Sequence, residues 1–315
     1  MSSFLVHRAL GLLGALLAAS VLIFLAVEVL PGDPARAILG INAEPAAVEA
    51  LQRQLGLDQP APLRYLRWIA GLLRGDLGTS WSYRVPVAEL LAPRFAVTLP
   101  LTVLAMALTA TASIALGVWA ALRHGCAADR AIGIGTQLGL AIPNFWLGLL
   151  LILLFSVELN WLPAGGFPGW EAGAWPAVQS LLLPAFALAA VQIAILTRFT
   201  RAAVLDYAQQ DFVRTARAKG LTPAAAIVRH VLRNALVPIT SILGLQFAFL
   251  LAGAVIIENV FFLPGLGRFV FQAIANRDLI VVETVVLVLA ALVMVVTFFA
   301  DVAARAIDPR LKVEP

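Results

Sequence analysis

The sequence predicts an all-α, polytopic membrane protein with six transmembrane helices, and three observations predict it. Of the 315 residues, 61% are hydrophobic and 13% charged, which is more apolar surface than a soluble domain of this size can hide. Runs almost free of charge, and long enough to cross ~30 Å of hydrocarbon, fall at residues 9–30, 97–122, 131–155, 179–197, 236–257 and 283–303. From the second run onward the segments between the runs alternate between basic and charge-poor, the pattern of a chain threaded back and forth through a bilayer.

The first run follows His7 and Arg8 and contains Ala18, Ala19 and Ser20, features shared with secretory leaders. It continues to Leu30, beyond the length of a leader's apolar core, so it is read as a retained span. The segment of about 31–95 that follows holds two stretches of helical spacing. Ala46 to Leu55 is one; Tyr65 to Leu73 is the other, with Tyr65, Trp68, Ile69 and Leu72 on one face, as in a short helix lying at the membrane surface. Pro143 and Pro184 fall inside the third and fourth spans, where each can kink a helix, although membrane helices also tolerate proline. Trp161, Trp170 and Trp175 crowd the loop after span three, where an aromatic belt belongs. No internal repeat, low-complexity tract or linker interrupts residues 1–315, which read as a single transmembrane domain.

Orientation follows from the arginines and lysines. The segments between spans two and three and between four and five, with both tails, hold 13 of the 22. The short loops on the other side hold none and two, so both termini are expected in the cytoplasm. Seven arginines between Arg36 and Arg94 lie on the outer side, but that segment exceeds 60 residues, and long translocated regions escape the rule. The net charge of +4 therefore reflects topology. The basic residues are dispersed without interleaved stacking aromatics, so no nucleic-acid partner is expected.

The cytoplasmic loop of about 198–235 is the strongest functional signal. Within Asp211 to Pro238, Phe212, Val213 and Ala216 share a ~100° arc while Arg214 and Arg217 lie on another face. Gly220 supplies a residue able to take positive φ, Thr222 an N-cap and Pro223 a first helical position, so the stretch reads as helix, turn, helix. The second helix has Ile227, Val228, Val231, Leu232 and Ala235 as its apolar face, flanked by Arg229 and Arg233.

Several chemistries are excluded or weakened. Cys126 is the one cysteine, so there is no internal disulfide and no cysteine-rich metal site. His7, His124 and His230 are all expected on the cytoplasmic side, leaving no transmembrane metal relay; His230 reads as a polar residue on the second loop helix. Lys219 and Lys312 follow Ala218 and Leu311, so the glycine-lysine pair of a phosphate-binding loop is missing. There is no zinc-protease helix and no nucleophile elbow. Glu28, Glu158, Glu258, Glu283 and Asp301 are the carboxylates nearest the membrane; all lie near span ends and read as interfacial, with Asp301 able to pair with Arg305. No catalytic residue, metal or cofactor is expected.

The stretch RTARAKGLTPAAAIVRHVLRNALVP resembles the cytoplasmic EAA segment of permease subunits in ABC importers, in the form found in the dipeptide, oligopeptide and nickel permease family. The resemblance extends over nearly the whole chain: GDPA at Gly32 to Ala35, LGLDQP at Leu55 to Pro60, GDLGTS at Gly75 to Ser80, PNFWLG at Pro143 to Gly148, WLPAGG at Trp161 to Gly166, IIENVFFLPGLGR at Ile256 to Arg268, NRD at Asn276 to Asp278 and DPRL at Asp308 to Leu311. Their order and coverage make it specific.

The resemblance implies a type I ABC importer permease fold. A second homologous permease subunit would complete the path, two ABC ATPase subunits would dock on the cytoplasmic side, and an extracytoplasmic substrate-binding protein would deliver the solute. It also implies that the EAA segment couples to the ATPases, through Arg214, Thr215, Ala216, Arg217, Lys219 and Gly220. Arg214, Thr215, Ala216 and Gly220 stand where the family has a glutamate, two alanines and a glycine, so the chain departs at the first two and no acidic contact carries over. It departs again after NRD, with Leu279 and Ile280 for a common Tyr-Pro pair and Glu283 and Thr284 for Gln-Gly. Peptides are the implied substrate, with a nickel chelate or another small solute second; the lack of His and Cys along the expected path argues against a free metal ion. A secondary transporter or channel would predict midplane charges or symmetrically placed broken helices, and a membrane enzyme a nucleophile or metal constellation. The sequence displays none of these.

Overall fold

A computed structural model describes residues 2–29, 32–40 and 42–307. Its helices are α1 (Ser2–Glu28), α2 (Pro34–Leu39), α3 (Pro45–Gln54), α4 (Ala61–Leu73), α5 (Val87–Leu122), α6 (Ala127–Ala141), α7 (Asn144–Leu151), α8 (Ala174–Ala208), α9 (Asp211–Ala218), α10 (Pro223–Ala226), α11 (Leu232–Val260), α12 (Leu266–Ala275) and α13 (Leu279–Ile307). Extended pairing among the described residues is limited to an isolated bridge between Thr79 and Pro86. Asp301, Arg305 and the DPRL stretch from Asp308 to Leu311 lie outside the described side chains.

Among the described residues, five helices are long and apolar enough to cross a membrane: His7–Glu28, Val87–Leu122, Ala174–Ala208, Pro223–Val260 and Leu279–Phe299. The third expected span, 131–155, is instead two helices, Ala127–Ala141 and Asn144–Glu158, bent by 102°. Ile142 is extended at φ −88°, ψ 120°, the conformation a residue before proline prefers, and Pro143 has no N–H to continue the helix. Pro184, by contrast, sits buried inside an unbroken α8. Several helices also outrun the apolar runs that announced them, α5 and α8 most of all.

The chain divides into two compact units, one made of the residues up to Thr98 with Pro264–Val295, the other of Leu99–Leu263 with the residues from Val296 onward. In the first unit, Val27, Val87, Leu91, Leu266, Phe269, Val281 and Val285 form the core. The short motifs of the N-terminal segment act here as helix punctuation. Asp33 caps α2 by accepting a hydrogen bond from the Ala35 N–H at 2.9 Å, with Pro34 in the first turn; Gly56, at φ +70°, ends α3, and Pro60 precedes α4. Asp278 joins two distant motifs: its Oδ2 accepts from the Ser80 hydroxyl at 2.5 Å and the Ser82 N–H at 3.0 Å. At Gly78 (φ +82°) a Cβ would lie 2.6 Å from Cγ2 of Ile280, so the 75–80 loop can close on α13 only with glycine there.

The aromatic face of α4 is not left for lipid alone. Tyr65 and Trp68 pack on Phe24 of α1 with ring centroids 5.4 and 6.5 Å apart, and the Tyr65 hydroxyl meets that of Ser20 at 3.0 Å. Leu63, Leu66 and Leu73 are the exposed apolar residues of this helix.

In the second unit α8 is the spine, buried along much of its length and packed against α6, α7 and α11. Glycines set the closest approaches. A Cβ on Gly117 would lie 2.6 Å from Cβ of Thr200, and one on Gly253 2.8 Å from Cδ1 of Leu188. Gly165 lies against the Phe261 carbonyl, which also accepts from the Gly166 N–H at 2.8 Å, and this joins the WLPAGG and FFLPG stretches. Two of the carboxylates read as interfacial are in fact within protein: Glu258 is 0% and Glu283 6% exposed. Glu28 pairs with Arg64, and Glu158 is exposed.

Candidate functional site

The connection from α8 to α11 is shorter than the 198–235 loop read from the sequence, because both flanking helices extend into it. α9 is a separate helix of eight residues. It ends on a pair of hydrogen bonds, Leu221 N–H to Ala216 C=O at 3.3 Å and Gly220 N–H to Arg217 C=O at 2.9 Å, with Gly220 at φ +94°. This is a Schellman closure, in which the residue after the C-cap must be left-handed. Two residues later Thr222 accepts from the Ala225 N–H at 3.3 Å and Pro223 occupies the first turn.

The second helix of the expected pair is no independent loop element. Pro223 to Val260 is one apolar helix of 38 residues, made of α10, a π-helical turn at Ile227–Val231 and α11. That turn inserts an extra residue into the helical repeat. Val231 and Ala235 are fully buried, whereas Val228, expected on the same face, is 56% exposed.

α9 is held by its inner face. Val213 and Ala216 are buried, and Val213 packs in a cluster with Leu196, Val204, Ala226, Val231 and Ala235. Of the six residues singled out from the sequence, Arg214, Thr215, Arg217, Lys219 and Gly220 are exposed. Ala216 faces inward, its small side chain letting α9 lie close. Phe212, expected within the apolar arc, is 37% exposed, so the outer surface combines three cations with an aromatic ring. The Arg214 guanidinium lies 3.5 Å from Asp211, both well exposed, and such a pair holds little energy. Thr215 satisfies its hydroxyl on the Asp211 carbonyl at 3.1 Å.

An ion pair with a buried carboxylate and a half-buried guanidinium, two turns before the end of α8, was not legible in the sequence. The Arg201 guanidinium donates to both oxygens of Asp129, at 2.6 and 2.8 Å. Asp129 is 7% exposed and also accepts from the Gly125 N–H at 3.0 Å. His124 Nδ1 lies 3.0 Å from Arg201. This bidentate geometry pins the α5–α6 turn to α8, the helix that leads into α9. The one signal was Asp129 itself, a lone acid among Arg123, His124 and Arg130.

Residues 113–313, which contain α9 and its whole docking cluster, match the family model described as "Binding-protein-dependent transport system inner membrane component". Residues 1–102 match the N-terminal model described as "Binding-prot-dependent transport system membrane comp, N-term". The probable peptide ABC transporter permease protein y4tP of Sinorhizobium fredii is 36% identical over 312 residues, covering 99% of this chain and 100% of its own. The glutathione transport system permease protein GsiC of Escherichia coli (strain K12) is 39% identical over 312 residues, covering 99% of each. In fold, the chain resembles a chain of the MetNI methionine ABC transporter in its inward-facing conformation, with a TM-score of 0.58 and 19% identity over 70% of this chain and 97% of that one. A match that takes in the eight-residue docked helix, together with relatives aligned over nearly their full length, places the chain in the binding-protein-dependent transport system inner membrane component family.

Proposed function

We propose that this chain is one of two permease subunits lining the path of an ATP-driven importer of short peptides, and that α9 is the element through which ATPase subunits move it. As a member of its family the chain is a multi-pass inner-membrane transport component and not itself an enzyme. The observation that carries the coupling role is the construction of α9: an apolar inner face seated on α8 and α10, a glycine-dependent stop, and an outer face of Arg214, Arg217, Lys219 and Phe212. A short helix anchored this way moves as a rigid body with the spans on either side of it. Two ATPase subunits would receive α9 and its counterpart on the second permease, and a substrate-binding protein would deliver the peptide to the opposite face. The arginine distribution supports both termini being cytoplasmic. Peptides are favoured because two relatives aligned over nearly the whole chain bear peptide and glutathione transport in their names.

The test is reconstitution. The lone chain should neither bind nor hydrolyse ATP, whereas the complex with its ATPases and binding protein should hydrolyse ATP and accumulate a labelled dipeptide in proteoliposomes. Turnover by the lone chain that survives removal of contaminating ATPases would overturn the assignment.

A further inference from the structure

The first unit contains a cavity of about 260 Å³ whose walls include Glu28, Arg64, Arg67, Trp68, Trp81 and Glu283. At ~30 Å³ per water it holds several waters or a solute of dipeptide size. Its polar groups are unevenly satisfied. Glu28 is taken by Arg64, and Arg67 donates to Gln59. The Arg64 Nε–H is buried without a partner. Glu283, 6% exposed and set in the first turns of a helix long enough to span a membrane, accepts no hydrogen bond among the described residues, and the charges that act on it are the Arg64 cation, already paired with Glu28, and the Glu28 carboxylate. A buried polar group without a partner calls for an explanation, and a carboxylate within a membrane helix marks a functional site more often than a structural one.

We propose that this cavity binds a small zwitterion by its primary ammonium group, with Glu283 accepting the ammonium and Arg67 facing the anionic end. An ammonium brings the N–H donors that Glu283 lacks. Trp68 and Trp81 line the same space, and an indole ring attracts a cation. The Arg67 guanidinium has five N–H donors in all, so its bond to Gln59 leaves others for an anion. A metal ion fits less well, because among the described residues no three acidic, histidine or cysteine side chains converge. The identification of that zwitterion as a short peptide rests on the import function proposed above; a phosphatidylethanolamine headgroup carries the same two charges.

The experiment measures equilibrium binding of radiolabelled dialanine to the assembled permease and ATPase complex, without binding protein, in nanodiscs of phosphatidylcholine and phosphatidylglycerol, which carry no primary amine. Saturable binding is expected, weakened ~10-fold or more by N-acetylation of the peptide or by Glu283→Gln, the size of effect that follows from losing a charged hydrogen bond, and partly restored in Glu283→Asp. Loss of dialanine binding when phosphatidylethanolamine is included would support the site and assign its natural occupant to the lipid. Absence of saturable binding to the wild-type complex, or equal affinity for dialanine and its N-acetyl form, would overturn the inference; the second comparison needs no variant and so survives a failure of Glu283→Gln to assemble. Uptake of dialanine by the complete wild-type system is scored separately and reports on the peptide reading alone.

Discussion

Replacing Gly220 with valine tests the coupling role of α9 through a single backbone angle. Gly220 sits at φ +94°, and a Cβ built on it would meet nothing within 4 Å, so the substitution introduces no clash with a neighbour. Its effect is confined to conformation: a residue other than glycine in the left-handed region costs ~1–2 kcal/mol, more when β-branched. Against this stands the docking of α9, in which Val213 is 4% and Ala216 9% exposed. Burying one valine is worth ~1.5–3 kcal/mol, so the strain is of the same order as the contact it opposes. The ratio of docked to undocked α9 should then fall ~5- to 30-fold. Asparagine tolerates the left-handed region better than alanine or valine, which predicts the order Gly, Asn, Ala, Val from most to least coupled. Each variant should insert and assemble, and lose ATP hydrolysis stimulated by binding protein and substrate, together with uptake, in that order. Hydrogen exchange at the amides of Phe212 to Lys219 should accelerate in the same order. A Gly220→Val complex with normal stimulation and uptake would show the turn to be a passive connector and would move coupling elsewhere.

Other expectations are quicker to check. In a Cys126→Ser background, Ala172→Cys should react from outside the cell with an impermeant thiol reagent and Ala224→Cys should not; both positions are exposed, and reversed labelling would invert the topology and remove the coupling role. Arg201→Ala leaves the Asp129 carboxylate buried with the Gly125 N–H and His124 as its remaining partners, a loss of ~3–5 kcal/mol for a fully buried pair and less here because the Arg201 side chain is 32% exposed; the thermal midpoint of the purified complex should drop, and the double variant with Asp129→Asn should lose less than the two single losses added. Gly165→Ala drives a methyl group into the Phe261 carbonyl, so that variant should be less stable by a few kcal/mol, whereas Gly166→Ala, with open space around its Cβ, is limited to the ~1 kcal/mol strain of φ +79°; equal stability of the two would refute the close-approach reading.

Much of the fold was legible because a bilayer imposes one requirement, length of apolar helix, that a sequence displays directly. What stayed hidden was set by neighbours. Pro143 and Pro184 look alike in sequence, yet one breaks its span by 102° and the other leaves α8 continuous. Around Pro184, Leu183, Ala185, Ala187 and Leu188 are all buried, so packing on several sides holds the helix against the local preference of the residue before proline. Around Pro143, Ala141, Phe145 and Trp146 are exposed, and the local preference wins. The ends of α8 and of the Pro223–Val260 helix were underestimated for a related reason: polar, arginine-bearing turns such as Arg198 to Tyr207 continue a helix once one face is buried, and hydropathy does not register that face.

At the candidate site, the features legible in sequence were those enforced by the backbone. Gly220, Thr222 and Pro223 announce a stop, a cap and a start, and each does that work in the structure. The side-chain features were less accessible because they depend on which residues face which. A regular helical repeat places Val228 on the buried face, but the π turn at Ile227–Val231 rotates it outward while Val231 stays in. Glu283 was assigned to the interface from its distance to a span end, a criterion that assumes the end of an apolar run is the end of protein cover. Here the N-terminal segment folds back over that end, with Arg64, Arg67 and Trp68 of α4 lining the same cavity. A carboxylate at a span terminus is therefore solvated or enclosed according to what the preceding extramembrane segment covers, and in this chain a 13-residue amphipathic helix decides it.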